Sequence, residues 1–323
     1  MINRPRRLRL TPNLRSMVRE TEVNVRDLIC PLFICPGHNI QKPIDAMPGQ
    51  YQWSVDRIAA HAEHLAKLGI PAVLLFGLTD TKDATGSDSY SDNGTAQQAI
   101  RAIKKAAPEL TIITDVCLCS YTSHGHCGPL HHIGCTTTVD NDATLNILQK
   151  IAVSHAQAGA DIVAPSGMID GMIGAMREAL DRAHFEHTAI MSYSVKYGSS
   201  FYGPFREAAD ATPQSGDRKS HQMDYANVRE AIREAELDVA QGADFLMVKP
   251  ALAYLDVIKT IRDRFTLPLA AYNVSAEYSM VKAAAEKGWV NEQAMMLEIL
   301  TSIKRAGADL IITYFAEQFA QLV

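Results

Sequence analysis

The sequence predicts an α/β fold, a closed (β/α)8 barrel of the TIM type preceded by an extended N-terminal arm. Three observations carry this expectation. Eight short, near-continuous apolar runs rich in β-branched residues recur along the 323 residues, each separated from the next by a segment of helical periodicity. Runs of that kind suit strands buried on both faces, and parallel strands need helical crossovers. A turn motif also returns ahead of runs four, six and eight, as Gln157-Ala-Gly-Ala-Asp161, Gln241-Gly-Ala-Asp244 and Arg305-Ala-Gly-Ala-Asp309, as though one turn were reused around a ring. An open doubly wound sheet is the competitor, but no Gly-rich dinucleotide fingerprint follows the first run and no Gly-x-x-x-x-Gly-Lys-Ser/Thr occurs.

Taken in order, the strand candidates are Leu28 to Ile34, Ala72 to Leu78, Leu110 to Leu118, Asp161 to Pro165, Thr188 to Ser194, Asp244 to Pro250, Leu267 to Val274 and Asp309 to Phe315. Between them, Ser54 is placed to cap a helix that runs to Lys67 and stops at Gly69, and Ala143 to Ala158 ends at Gly159. Similar patterns cover Met172 to Arg182, Tyr225 to Ala240, Ala253 to Arg264, Ala276 to Glu286 and Glu292 to Arg305. No linker-like stretch or compositional shift divides the chain, so the expected organisation is an arm over residues 1–27 and one barrel domain over 28–323.

Composition narrows the class. Apolar residues make up 47% and charged residues 21% of the chain, which excludes wholesale disorder. The longest apolar runs fall well short of a bilayer span and no signal-peptide pattern opens the chain, so no membrane partner is expected and the cytoplasm is the default location. Charge is uneven: residues 1–19 hold six arginines (Arg4, Arg6, Arg7, Arg9, Arg15, Arg19) and no acid, so the overall charge of −5 becomes −11 over the rest. Nucleic-acid binding or organelle import is one reading of that arm. With Pro5, Pro12 and interleaved leucines, an extended arm lying on an acidic neighbour is the better one.

In a barrel the chemistry sits at the C-terminal strand ends. Polar residues crowd there: Asp115 on strand three, Ser166 after strand four, Lys196 after strand five, Lys249 on strand six, Tyr272 and Ser275 by strand seven, Tyr314 on strand eight. Two lysines at adjacent strand ends, in apolar settings, disfavour each other's charge, and a neutral amine can attack a ketone or aldehyde to form a Schiff base. Three of the six cysteines, Cys117, Cys119 and Cys127, fall within eleven positions and suit zinc. His124, His126 or Cys135 could supply a fourth ligand, or the position stays open for water or substrate; small core thiols are the bland alternative. Cys30 and Cys35 read as buried or incidental thiols, His131 and His132 as loop residues, and the methionines as core filler. The stretch from Tyr197 to Asp224, with Arg206, Arg218, Lys219 and Gln222, has the composition of a lid whose arginines can clamp a carboxylate.

These residues carry a resemblance. Arg4-Pro-Arg-Arg-Leu-Arg9, Asp45-Ala-Met-Pro-Gly49, Tyr121-Thr-Ser-His-Gly-His-Cys-Gly128, Phe201-Tyr-Gly-Pro-Phe-Arg206, Met247-Val-Lys-Pro250 and Ser302-Ile-Lys-Arg-Ala-Gly-Ala-Asp309 are similar, nearly end to end, to the porphobilinogen synthase (5-aminolaevulinate dehydratase) family in its zinc-binding form. The resemblance implies a hydro-lyase of tetrapyrrole (haem) biosynthesis that condenses two 5-aminolaevulinates to porphobilinogen with loss of two waters. It implies that Lys249 forms the Schiff base with the first substrate and Lys196 with the second, with Asp115 near both. Ser275 and Tyr314 match residues holding the first carboxylate, and Arg206, Arg218 and Gln222 match lid residues serving the second. Cys117, Cys119 and Cys127 match the zinc ligands, and Glu234 aligns with a ligand of an activating magnesium. A homo-octamer, with the arm embracing a neighbouring subunit, is also implied. The stretch Leu130 to Thr138 is longer than in other bacterial members. Two rivals fit fewer residues: a Schiff-base aldolase with a structural zinc, and a non-catalytic metal-binding scaffold.

Overall fold

The computed structural model describes residues 2–134 and 136–323; Cys135, weighed above as a fourth metal ligand, lies outside the described residues. Eight parallel strands, Leu28–Ile34, Ala72–Gly77, Thr111–Val116, Ile162–Pro165, Ala189–Lys196, Phe245–Lys249, Leu269–Asn273 and Leu310–Thr313, pair in chain order. The first closes on the eighth through Leu28 opposite Ile311 and Ile29 opposite Ile312, completing the barrel. Seven of the predicted runs contain one of these strands; the fifth stops at Ser194, two residues short of the strand's end at Lys196. Their apolar composition follows from the architecture: side chains point alternately into the barrel and under the helical ring, so all seven residues of the first strand are buried.

The recurring turn has a physical basis. Asp161, Asp244 and Asp309 each sit just before an even-numbered strand and accept a backbone N–H from the strand before it. The donors are Ile112 (2.7 Å), Ile190 (2.7 Å) and Leu269 (2.8 Å). The same aspartates donate their own N–H to the carbonyls of Ile112, Ile190 and Leu269, at 3.0, 3.0 and 2.8 Å. Each carboxylate therefore staples two neighbouring strands at the closed end of the barrel. Gly159 makes the approach possible in the first case, ending helix Asn141–Ala158 at φ 107°, a left-handed backbone that glycine adopts without strain.

Several expectations need correction. Ser54 occupies the N-cap position of helix Val55–Lys67 as expected, but its side chain makes no capping bond; its hydroxyl accepts the Ile40 N–H at 2.8 Å and ties an incoming loop to the helix start. Helix Thr95–Ala106 was not predicted: it starts at Gly94 without a side-chain cap, and its buried Gln97 breaks the apolar pattern by bonding to Ser89 and Ser154. Two hairpins, Gln41–Pro43 with Tyr51–Trp53 and Leu130–Ile133 with Thr136–Val139, are additions, the second being the longer stretch noted above. The arm is not simply extended. Pro5 and Pro12 sit at the starts of a 3-10 turn, Pro5–Arg9, and a short helix, Pro12–Met17, where a missing N–H costs nothing, and Thr11 caps the helix through the Leu14 N–H. No residue from 2 to 27 is buried.

Asp244 tests the staple cleanly, because it has no ion-pair partner among the described residues. Asp244→Ala, leaving the buried Ile190 N–H unpaired, should cost about 1–3 kcal/mol. Asp244→Asn, which keeps an acceptor, should cost less, as read from the urea unfolding midpoints of the two variants.

Candidate active site

Strands five and six are in register at their C-terminal ends, so Lys196 and Lys249 are paired residues with side chains on the same side of the sheet. Both are buried, at 6% and 4% exposure. Their surroundings differ. Lys196 Nζ donates to the Ser166 carbonyl. Lys249 Nζ makes no hydrogen bond among the described residues and is enclosed by rings, 4.1 Å from the Tyr272 centroid, 5.0 Å from Phe205 and 5.2 Å from Tyr193 and Tyr202. The Tyr193 ring also faces Lys196, at 5.5 Å. Burial first, and the Lys196 charge second, bring Lys249 down to about 7, so near neutrality much of it is the nucleophilic amine. Asp115 stands by both lysines; burial raises its carboxyl against their attraction, and its Oδ1 is sealed from solvent without a partner.

On the other side of Asp115, strand three leads into Cys117 and Cys119, and the returning loop brings Cys127. Their three Sγ atoms lie within 4.8 Å of one another, all buried. Two glycines make this return possible. A Cβ on Gly128 would stand 2.0 Å from Thr144 Oγ1, and one on Gly125, at φ 73°, 2.4 Å from the Thr212 carbonyl. Thiol-to-thiol hydrogen bonding, with burial, pushes Cys117 up to about 12 and Cys127 up to about 11. Three converging thiols held protonated in a buried pocket fit a soft divalent cation, which would favour all three thiolates. His124 and His126 do not join the group: their ring nitrogens contact the Ala84 and Ser215 carbonyls at 3.1 and 2.9 Å. Among the described residues the group that could hold a metal is these three sulfurs.

The loop from Tyr197 to Asp224 covers the mouth, with a short helix, Gly203–Ala208, inside it. Arg218 Nη2 donates to the Gly125 and Ala211 carbonyls at 2.8 and 2.6 Å, which docks the loop on the cysteine segment. Arg206 Nε, Arg218 Nε and Gln222 Nε2 are buried donors without partners. Unpartnered buried donors of this kind, two of them cationic, are suited to donating to an anion. Across the mouth, Ser275 Oγ accepts the Phe205 N–H at 3.0 Å and Tyr314 Oη lies 3.0 Å from Tyr272 Oη. Glu234 stands apart from this centre, on helix Arg229–Ala240, lining a cleft of about 440 Å³ with Asp170, Asp224, Glu230 and Gln222. Burial and then the neighbouring carboxylates raise its pKa.

The comparisons agree with this geometry. A family model described as delta-aminolevulinic acid dehydratase matches residues 2–322. The chain belongs to the delta-aminolevulinic acid dehydratase family. The delta-aminolevulinic acid dehydratase of Synechocystis is 56% identical over 318 residues, covering 98% of this chain and 97% of that protein. That of Bacillus subtilis is 52% identical over 319 residues, covering 99% and 97%. The Toxoplasma gondii delta-aminolevulinic acid dehydratase, solved with the reaction product porphobilinogen, superposes with a TM-score of 0.96 at 44% identity, covering all of this chain and 92% of that one.

Within this family chain, sequence reasoning missed the ring enclosure of Lys249. Tyr193 precedes Lys196 by three residues and Tyr202 and Phe205 follow it closely, but that they converge on Lys249 is decided only by the fold.

The depressed Lys249 gives a signed expectation. Its modification by a ketone reagent trapped with borohydride should rise with pH to half its limit near pH 7 and level off above, as the ammonium is lost. Lys196→Met, removing the like charge, should move that midpoint to higher pH, as read by mass spectrometry of the Lys249 peptide.

Proposed function

We propose that this chain carries out its family's reaction, condensing two molecules of 5-aminolaevulinate to porphobilinogen with loss of two waters, through Lys249 and Lys196. The observation that carries the reading is the in-register pair of buried lysines, one caged by rings and one held by a carbonyl, beside a buried trio of thiols. Two ketones that are to be joined need two amines within reach of each other. An amine without a carboxylate partner, in a site that disfavours its ammonium, is free to attack.

The Lys249 amine adds to the ketone carbon of the first substrate, and the carbinolamine loses water to give the imine; Lys196 does the same with the second. Asp115, buried near both lysines with one oxygen unpartnered, accepts and returns a proton. Ser275 and Tyr314 hold the first carboxylate. Arg206, Arg218 and Gln222 take the second with the donors that otherwise stand unpaired. The lid they belong to keeps water from hydrolysing the imines.

Cys117, Cys119 and Cys127 would hold zinc, which when bound supplies a Lewis acid and a more acidic bound water. Glu234 and its neighbouring carboxylates would suit Mg2+, a hard cation that needs few protein oxygens and keeps several waters. Residues 1–27 act as an oligomerisation arm on the barrel of residues 28–323, in a homo-octamer. The exposed apolar residues Leu8 (53%), Leu10 (78%) and Met17 (80%) support this reading. No helix among the described residues is long and apolar enough to cross a membrane, which is compatible with a cytoplasmic enzyme.

Purified protein given 5-aminolaevulinate and zinc should form a pyrrole, read as colour with an aldehyde reagent, that disappears on chelation and returns with zinc. Activity indifferent to chelators would keep the reaction and remove the metal; no pyrrole under any metal condition would overturn the reading. Arg218→Leu should raise KM by about 10-fold or more through loss of a charged hydrogen bond, while borohydride still traps the first substrate on Lys249.

A further inference from the structure

A second group of metal-ligating side chains lies outside the active centre, at the seam where the barrel closes. Helix Val55–Lys67 covers the first strand, and a short helix, Ala316–Ala320, follows the eighth. His61 and His64, three residues apart, share one face of the longer helix. Both rings turn Nε2 toward the Glu317 carboxylate, at 3.7 Å for His61 and 3.2 Å for His64. Neither pair makes a hydrogen bond among the described residues, and the two contacts run to different oxygens of the one carboxylate, Oε2 for His61 and Oε1 for His64. The Trp53 indole stacks on His61 at 4.6 Å and 15°, orienting its ring, and a cavity of about 220 Å³ bordered by Gln50, Tyr51, Trp53, His61 and Glu317 opens beside it.

We propose that His61, His64 and Glu317 form a site for a divalent first-row transition metal, distinct from the cysteine group, that clamps the C-terminal helix to helix Val55–Lys67. Two imidazoles and a carboxylate suit zinc, cobalt or nickel and do not suit magnesium or calcium. Ligand atoms about 2.0–2.2 Å from zinc stand up to roughly 4 Å apart, which both nitrogen-to-carboxylate distances satisfy. The three atoms do not yet lie within 4.8 Å of one another. His64, whose side chain is 49% exposed, closes the set by rotating inward while the stacked His61 stays in place. Gln318, next to Glu317, is anchored to Glu292 at 2.8 Å, so the carboxylate is carried on an already positioned helix. Tyr314 lies three residues before Glu317 on the same strand-to-helix connection, so the ion would also steady a residue at the barrel mouth.

The test uses full-length protein freed of metal, dialysed against Zn2+ for stoichiometry and titrated with Co2+ for spectroscopy. Wild type should bind two zinc ions per subunit. His61→Ala/His64→Ala should bind one and keep the thiolate-to-cobalt charge-transfer absorption. Cys117→Ala/Cys119→Ala should lose that absorption while retaining one ion with weak visible bands alone. Glu317→Gln, a milder change, should weaken the histidine-site ion by at least the about tenfold that even outer-shell changes cost. A second ion that survives His61→Ala/His64→Ala, or wild type that binds no ion beyond the cysteine group, would overturn the proposal. Loss of zinc at the cysteines alone would count against the metal assignment made there and leave this one standing.

Discussion

The register between strands five and six is the constraint on which the active centre rests. Because Lys249 lies opposite Lys196, two amines share one sealed compartment, and each makes the other's charge harder to hold. A slip of one residue would turn one lysine under the helical ring and separate the pair. The Asp244 carboxylate is bonded to the Ile190 N–H at the far end of the same two strands, where the register differs by one residue from that of the lysine pair, the shift falling between Leu246 and Val248. The pairing of the two amines at the mouth therefore depends on that irregularity in the ladder as well as on the strands themselves.

The rest of the site is arranged around that pair with little overlap of duties. Rings surround Lys249 and keep oxygen acceptors away, whereas Lys196 is held by the Ser166 carbonyl. Arg218 docks the lid with one end of its guanidinium and leaves Nε free in the interior. The thiols sit next to that docking point, so the loop that brings Cys127 and the lid that brings Arg218 are positioned by the same contact with Gly125.

Much of this was legible in the sequence, for physical reasons. Strand positions could be read because both faces of a barrel strand are buried, leaving uninterrupted apolar runs such as Leu28 to Ile34. The lysines and the cysteine trio could be read because strand ends in a barrel converge wherever they lie in the chain. What could not be read depended on partners distant in sequence. Helix Thr95–Ala106 hid behind Gln97, a polar residue buried because Ser89 and Ser154 satisfy it. Ser54 looked like a cap, but a tertiary acceptor role for Ile40 won. Phe205 and Tyr202 looked like lid residues, and only the folded lid lays them on Lys249. His61, His64 and Glu317 gave no motif, since the carboxylate is supplied more than two hundred residues later.

The aspartate staples group the eight strands unevenly. Asp161 binds strand three to four, Asp244 five to six and Asp309 seven to eight, while the joints between four and five and between six and seven have no such carboxylate. Strands three to eight are in this sense three stapled two-strand modules joined at plainer seams, and among the described residues strands one and two carry no such carboxylate. Lys196 and Lys249 both fall inside a single module, so an opening confined to a seam would leave the distance between the two amines unchanged.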